Sequence, residues 1–422
     1  MKFPMKMSSF AEVPPEVSRV VFGAGPLAAG LGFYEVAIAV FLPLEGVSIT
    51  NVGAILTTFG VAAVVCSIPF SILSDRYGRK LMMLIGALLS IPVTIVPGLT
   101  SDFLILEISA LVGGAADAMY ISTWNAYLAD ATPVSARPAT FSLSFVVFTM
   151  AAGFGSFVPA AFPFLPLDFF QAHRIAFIAL GLLGFLTPLA VLRWAIDIKP
   201  VQSRRGMLPR KSLGILAKFS TANMLIALGA GLIIPLIPTW FYLRFNVTDA
   251  FSGPVVAVSS IAMGLAAIAS PGIAKKTGLV VGIVATQLAS TLFLLATPLS
   301  PTASIAAVVY VVRSMLMNMS SPLADSLLMN LVAQDERATA SALNAVVWRL
   351  PNAASTVFGA AALSAGDLNL PFYLCTVLYV ASITLFYVLF RKVEQKSARI
   401  VEENLRESYS SDAVPAENPE KP

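Results

Sequence analysis

Twelve long apolar stretches follow one another along this chain, each set off from the next by a short polar or charged break. A helix rises 1.5 Å per residue, so about 20 mostly apolar residues carry it across the hydrocarbon of a bilayer. The stretches run over 19–43, 49–73, 81–99, 103–128, 138–162 and 173–193, then 214–243, 250–274, 279–298, 302–332, 338–364 and 370–391. Buried helices of a large soluble protein would show charged faces toward water, and none separates these runs. Of 422 residues, 57% are apolar and 12% charged, against roughly 25% charged in an average soluble domain. That leaves too little polar surface for a water-soluble body, so lipid must be the solvent for much of it. The predicted fold class is an all-α integral membrane protein with 12 transmembrane helices.

The basic residues set the orientation. With the N-terminus in the cytoplasm, Arg76, Arg79, Lys80, Arg137, Arg193, Lys199, Arg204, Arg205, Lys275, Lys276, Arg337 and all basic residues after Phe390 fall on the cytoplasmic side. Only Arg174 and Arg244 fall outside. This asymmetry predicts a multi-pass protein of the plasma membrane with both termini cytoplasmic. The longest cytoplasmic link, 194–213, lies midway and holds Lys199-Pro200 and Arg204-Arg205. The expected organisation is a cytoplasmic segment 1–18, a six-helix bundle 19–193, the linker 194–213, a second six-helix bundle 214–391, and a tail 392–422. The tail is expected to form a short interfacial helix and then to be disordered. Residues 1–18 lack the apolar core and small-residue cleavage site of a secretory signal. The halves echo each other at an offset of 200: Asp75-Arg76-Tyr77-Gly78 faces Lys275-Lys276-Thr277-Gly278.

Several chemistries are excluded. One histidine, His173, leaves no His-based metal centre or triad, and Cys66 and Cys375 lie inside apolar runs as small hydrophobes. No Gly-x-x-x-x-Gly-Lys-Ser/Thr loop is present, and no cluster has metal-ligand spacing. The expectation is no enzyme, no cofactor, no metal and no nucleic-acid partner; the partners are the bilayer, protons and a small-molecule substrate.

The most specific motif is Ser71-Ile-Leu-Ser-Asp75-Arg76-Tyr77-Gly78-Arg79-Lys80, at the cytoplasmic end of the second stretch. Gly78 permits a tight turn, Asp75 can face a helix N-terminus, and Arg79 can pair with a carboxylate across the bundle. This resembles the Gly-x-x-x-Asp-Arg-x-Gly-Arg-Lys loop of the major facilitator superfamily, in its twelve-helix drug or metabolite:proton type. The resemblance extends over the whole chain: helix count, orientation, midpoint loop, this motif and the Asp130…Arg137 loop. It implies two pseudo-symmetric six-helix bundles and a monomer. It also implies that Asp75 caps helix eleven and that Arg79 pairs with Asp130 at the end of helix four. Asp75, Arg76, Gly78, Arg79, Lys80, Asp130 and Arg137 would then gate rather than bind substrate. Ser71 stands where the family usually has Gly. The family's antiporter signature is missing from helix five, and Gly113 occupies the helix-four place where drug antiporters carry Arg.

A binding site is expected near the midplane, between the halves, where ionisable residues default to functional candidates. Glu35 in helix one and Asp117 in helix four are the candidates for proton coupling. Asp325 and Arg349 both sit roughly 15–18 Å above the cytoplasmic helix ends at 1.5 Å per residue, which makes an intramembrane ion pair geometrically reasonable. Arg313 lies further out; it is also a candidate cavity residue, which can snorkel or meet an anion. Tyr34, Tyr120, Trp124, Asn125, Asn318, Asn344 and Trp348 are candidate cavity residues, since aromatic walls with a few amides fit amphipathic ligands. Trp240, near an outer end, reads as an interfacial belt residue. Two functions remain open. One is proton-coupled export of small organic cations or amphipathic compounds, on the two acids and the aromatic set. The other is a proton symporter or uniporter for a polar or anionic metabolite such as a sugar or organic acid, on Arg313 and Arg349. Glycine and proline in helices one, five and seven predict bends there.

Overall fold

A computed structural model describes residues 13–133, 135–197, 212–332 and 336–411. Every element in it is helical: α1 (Pro15–Leu44), α2 (Ile49–Tyr77), α3 (Arg79–Leu99), α4 (Phe103–Asp130), α5 (Arg137–Phe157), α6 (Phe169–Trp194), α7 (Leu213–Phe245), α8 (Asp249–Thr277), α9 (Leu279–Ala296), α10 (Ala303–Leu331), α11 (Arg337–Ser364) and α12 (Leu370–Ser411). Among the described residues, ten helices are long and apolar enough to cross a membrane. The long helices α8 and α11 fill the remaining two places of the twelve. Residues 198–211 of the expected linker and the last eleven residues of the expected tail lie outside the described residues. Rather than stopping near 391, α12 runs on unbroken to Ser411.

Local chemistry explains where the helices start. Ser48, Asp102, Asp168, Thr302 and Asp367 each accept a hydrogen bond from a backbone N–H three residues on, capping α2, α4, α6, α10 and α12. These five helices all begin at the same end of the protein, called here the far end. The opposite end carries Arg76, Arg79 and Lys80 and is the basic end. Gly78 and Gly278 each link two helices with φ of +101° and +82°, a backbone region that glycine enters without a Cβ penalty. They stand 200 residues apart, so the sequence echo is also a geometric one.

Bends fall where glycine and proline predict them. α1 breaks at Ala24, between Gly23 and Pro26. α5 runs into a 3₁₀ segment at Val158–Phe164, and α7 tightens to 3₁₀ at Ile234–Leu236, beside Pro235 and Pro238. In the first half, α1 packs on α5 and α6, α2 on α4, and α3 on α4 and α6. The second half repeats this scheme, with α7 on α11 and α12, α8 on α10, and α9 on α10 and α12.

The halves meet along α2–α11 and α5–α8, with α1 also touching α7 and α8. Small residues allow that approach: Gly53 and Gly60 of α2 face Ala360 and Ala353 of α11, and Gly253 of α8 faces the Ser156 carbonyl of α5. Among the described residues, three hydrogen bonds join the halves, Thr57–Ala353 O, Thr239–Ala39 O and His173–Asp249. All three lie in the far half of the bundle.

Trp240 is not a belt residue. It is wholly buried, donates its indole N–H to the Leu368 carbonyl at 3.1 Å, and packs among Phe241, Phe245 and Phe372. Its nearness to a helix end fixed its depth but not the side of the helix it occupies.

Candidate functional site

The centre of the site is one residue of α1. From Val36 to Leu42 that helix is fully buried, and so are Gly32, Phe33 and Tyr34, yet Glu35 between them is exposed. A single exposed position in a buried helix means that the core opens there. Asp117, half-buried on α4, lies within electrostatic reach of Glu35, and Arg349 of α11 within reach of Asp117. Arg349 is exposed, as is its neighbour Trp348. Asp117 of the first half thus stands within reach of both Glu35 and the guanidinium that the second half contributes.

The ion pair expected between Asp325 and Arg349 is not formed. The ion pairs among the described residues are Arg79–Asp75, Arg79–Asp130, His173–Asp249 and Arg174–Glu45. The reason is lateral position: α10 packs on α8 and α9, whereas α11 packs on α2 and α7. Equal depth on two helices that do not adjoin brings no charges together.

Three candidate cavity residues turn out to pack the bundles. Tyr120 and Trp124 stack on each other at 5.5 Å inside the first half, with Trp124 Nε1 donating to Ser144 Oγ at 2.9 Å. Gly86 of α3 lies against the Tyr120 backbone, so α3 and α4 approach closely beside this stack. Arg313 neither snorkels nor lines the opening. It is 4% exposed, donates through Nη2 to the Tyr379 hydroxyl of α12 at 2.6 Å, and leaves Nε without a partner. Burying the guanidinium between α10 and α12 turns it away from the interface between the halves.

Tyr34 is buried beside Glu35 and faces Phe59 of α2. Asn344 accepts from the Asn223 amide of α7 at 2.8 Å, which ties α11 to α7. Asn318 is half-buried and donates to its own helix at Ser314 O, 2.9 Å away. Asn125 is exposed. Of the eight expected cavity residues, Asn125 and Trp348 are the two open ones.

At the basic end Arg79 is 8% exposed and holds two carboxylates, Asp75 Oδ1 at 2.5 Å and Asp130 Oδ2 at 3.2 Å, as well as Ser74 Oγ at 3.0 Å. It thus pins the end of α2 to the end of α4. Arg137 Nε donates to the Ala129 carbonyl at 2.9 Å and closes the α4–α5 turn. Arg76 lies over the Tyr77 ring, and Lys80 is half-buried. The start of α11, which Asp75 is implied to cap, has its side chains outside the described residues.

Sequence reasoning passed over three ionisable residues. Glu107, one turn into α4, accepts from the Thr58 hydroxyl of α2 and leaves its other oxygen buried and unpartnered. It lay within an expected span and qualified on the same ground as Glu35. His173 and Asp249 form a pair between the halves. The only signal for His173 was an imidazole at the start of an apolar stretch, and Asp249 stood just outside its own stretch.

Comparison with known proteins follows the same architecture. Residues 20–356 and 219–414 match the family model described as Major Facilitator Superfamily. An uncharacterized MFS-type transporter, MJ1560 of Methanocaldococcus jannaschii, is 22% identical over 56% of this chain and 62% of its own length. Multidrug resistance protein 1 of Bacillus subtilis is 27% identical over 33% of this chain and 37% of its own. The chain therefore spans less than two thirds of either relative. Among solved structures, a bacterial homolog to the human lysosomal transporter Spinster, inward-facing and unoccupied, aligns with a TM-score of 0.70 at 15% identity. That alignment covers 89% of this chain and 97% of the other.

Proposed function

The chain belongs to the major facilitator superfamily, and on that premise we propose that it is a secondary transporter working by alternating access, exporting small organic cationic or amphipathic compounds in exchange for protons. The observation that carries this reading is Glu35, exposed in the middle of a buried helix with Asp117 within electrostatic reach. An acid placed there can load a proton from one side and lose it to the other as access alternates. Two carboxylates against one guanidinium favour a cationic ligand. The alternative, an anionic or polar metabolite, loses Arg313, whose guanidinium is buried against Tyr379, and keeps only Arg349, which Asp117 partly offsets. The multidrug resistance relative supports the same choice.

Among the described residues the hydrogen bonds between the halves lie toward the far end, which favours a state closed there. With the basic end in the cytoplasm, as the charge asymmetry predicts, that state faces inward. The test is flux in proteoliposomes under an imposed pH gradient, with a panel of organic cations, nucleosides, sugars and organic acids. Movement of cations against the proton gradient is expected; accumulation of anions or sugars down it would replace this reading with symport.

Asp75, Arg79 and Asp130 serve conformational switching. Asp75 is half-exposed and bound only to Arg79 among the described residues, so it is free to exchange partners when the basic end closes. Asp75→Asn is expected to slow substrate exchange by about tenfold, or ~1.4 kcal/mol of barrier, with the dissociation constant changed less than twofold. Equilibrium binding and counterflow rates on the same preparation check this. Weakened binding at normal exchange rates would place Asp75 in the substrate site instead.

A further inference from the structure

The far end of the protein holds a buried pair that the transport site does not use. His173 lies in the first turns of α6 in the first half, and Asp249 opens α8 in the second; both are wholly buried. They meet at 2.6 Å, Nε2 to Oδ2. The other ring nitrogen, Nδ1, lies 2.7 Å from the Phe169 carbonyl oxygen. A carbonyl oxygen only accepts, so Nδ1 carries hydrogen. In a neutral imidazole Nε2 is then bare, and a bare nitrogen facing an ionised carboxylate would set lone pair against lone pair. The contact needs one more proton. It sits either on Nε2, giving imidazolium against carboxylate, or on Asp249, giving a carboxylic acid that donates to Nε2. Both descriptions hold the same number of protons.

Among the described residues neither group has a second charged partner; Arg244 of α7, which packs on α8, is exposed and lies over the Phe245 ring. α1 presents Phe33 and Phe41 to the ring, with Phe41 stacked at 5.2 Å, and the 3₁₀ segment after α5 presents Phe162 edge-on at 4.6 Å. α6 itself adds Phe169. Its charged neighbours are engaged elsewhere: Asp168 caps α6, and Arg174 pairs with Glu45, the residue after α1. α3, packed on α6, brings Gly98 and Ile95. On α8, Ser252 Oγ and the second oxygen of Asp249 are buried without a partner, which makes a bare negative charge on Asp249 still more costly.

We propose that His173 and Asp249 form a one-proton latch between the halves: closing the far end takes up a proton, and opening it releases that proton. This rests on the alternating-access reading above. The sign follows from the proton count. The closed state binds more protons, so acid favours closure of the far end and rising pH favours its opening, by up to about tenfold per pH unit for one proton.

The test labels two exposed far-end positions, Leu165 in the first half and Leu299 in the second, in a chain with both cysteines replaced. Pulsed-EPR distances in lipid nanodiscs are then read from about pH 6 to 8, the range in which an imidazole in water titrates. The open fraction is expected to rise with pH. In Asp249→Asn the amide can donate to the bare Nε2 of a neutral imidazole, so the contact survives without the extra proton and the pH dependence should vanish. A variant that tracks pH as the parent chain does would overturn the latch. Nitrogen NMR needs no variant, because His173 is the single histidine: in closed protein without a histidine tag, an unprotonated Nδ1 overturns the proposal outright. Two distance populations that ignore pH sink the latch and leave alternating access standing. One fixed distance under all conditions, with and without transported substrate, sinks both.

Discussion

Glu35→Gln is expected to abolish movement of substrate driven by a pH gradient while leaving substrate exchange at equal pH intact. Glutamine keeps the size and hydrogen-bonding capacity of the side chain and removes only its proton chemistry. One pH unit is worth 1.36 kcal/mol per proton, so one-for-one exchange can sustain about a tenfold concentration ratio across the membrane. Without a carrier for the proton that ratio should fall to one. The exposed position of Glu35, with buried residues on either side of it, means that the substitution disturbs no packing, and loss of folding is not the expected cause. Counterflow at equal pH is the control. If Glu35→Gln still concentrates substrate, Glu35 is not the coupling acid. Asp117→Asn run beside it then decides whether the role belongs to the second carboxylate, which lies within reach of Arg349.

The parts of this protein that could be read from sequence were those encoded along one helix or at its ends. Span length, caps, the glycine turns at Gly78 and Gly278, and the bends at Pro26 and Pro235 each depend on a few consecutive residues. Depth was legible too, because rise per residue is fixed. Direction around the helix axis was not. In a membrane the apolar side of a helix faces lipid as readily as protein, so periodicity carries little information about which side packs. That is why Arg313, Tyr120 and Trp124 were expected in the cavity and lie in the bundles. It is also why Asp325 and Arg349, equal in depth, stay apart. The pairs that do form, Arg79–Asp130 and His173–Asp249, differ in the same respect. The first was implied by a motif shared with a family. The second depends on two helices from opposite halves meeting, which no local pattern records.

The largest effect on stability is expected where two backbones touch. α1 and α5 cross with Gly32 against the Ala152 backbone and Gly155 against the backbone of Ala29 and Phe33. A Cβ on Gly155 would fall onto the Ala29 carbonyl, and a carbonyl inside a helix cannot swing aside as a side chain can. Either α1 moves away from α5 or the folded state is strained, and α1 also carries Glu35. Overpacking a core costs roughly 1–3 kcal/mol, and contact with rigid backbone belongs at or above the top of that range. Two residues earlier on the same helix, a Cβ on Gly153 would meet nothing within 4 Å. There alanine gains about 1 kcal/mol of helix propensity over glycine. Gly155→Ala should therefore lower the thermal midpoint of the detergent-solubilised protein by several degrees and Gly155→Val should prevent its accumulation, while Gly153→Ala holds or raises it. Because both alanines gain the same propensity, the difference between them isolates the crossing. Equal midpoints for Gly153→Ala and Gly155→Ala would mean that α1 and α5 do not approach this closely. The opening around Glu35 would then lose the wall that positions it.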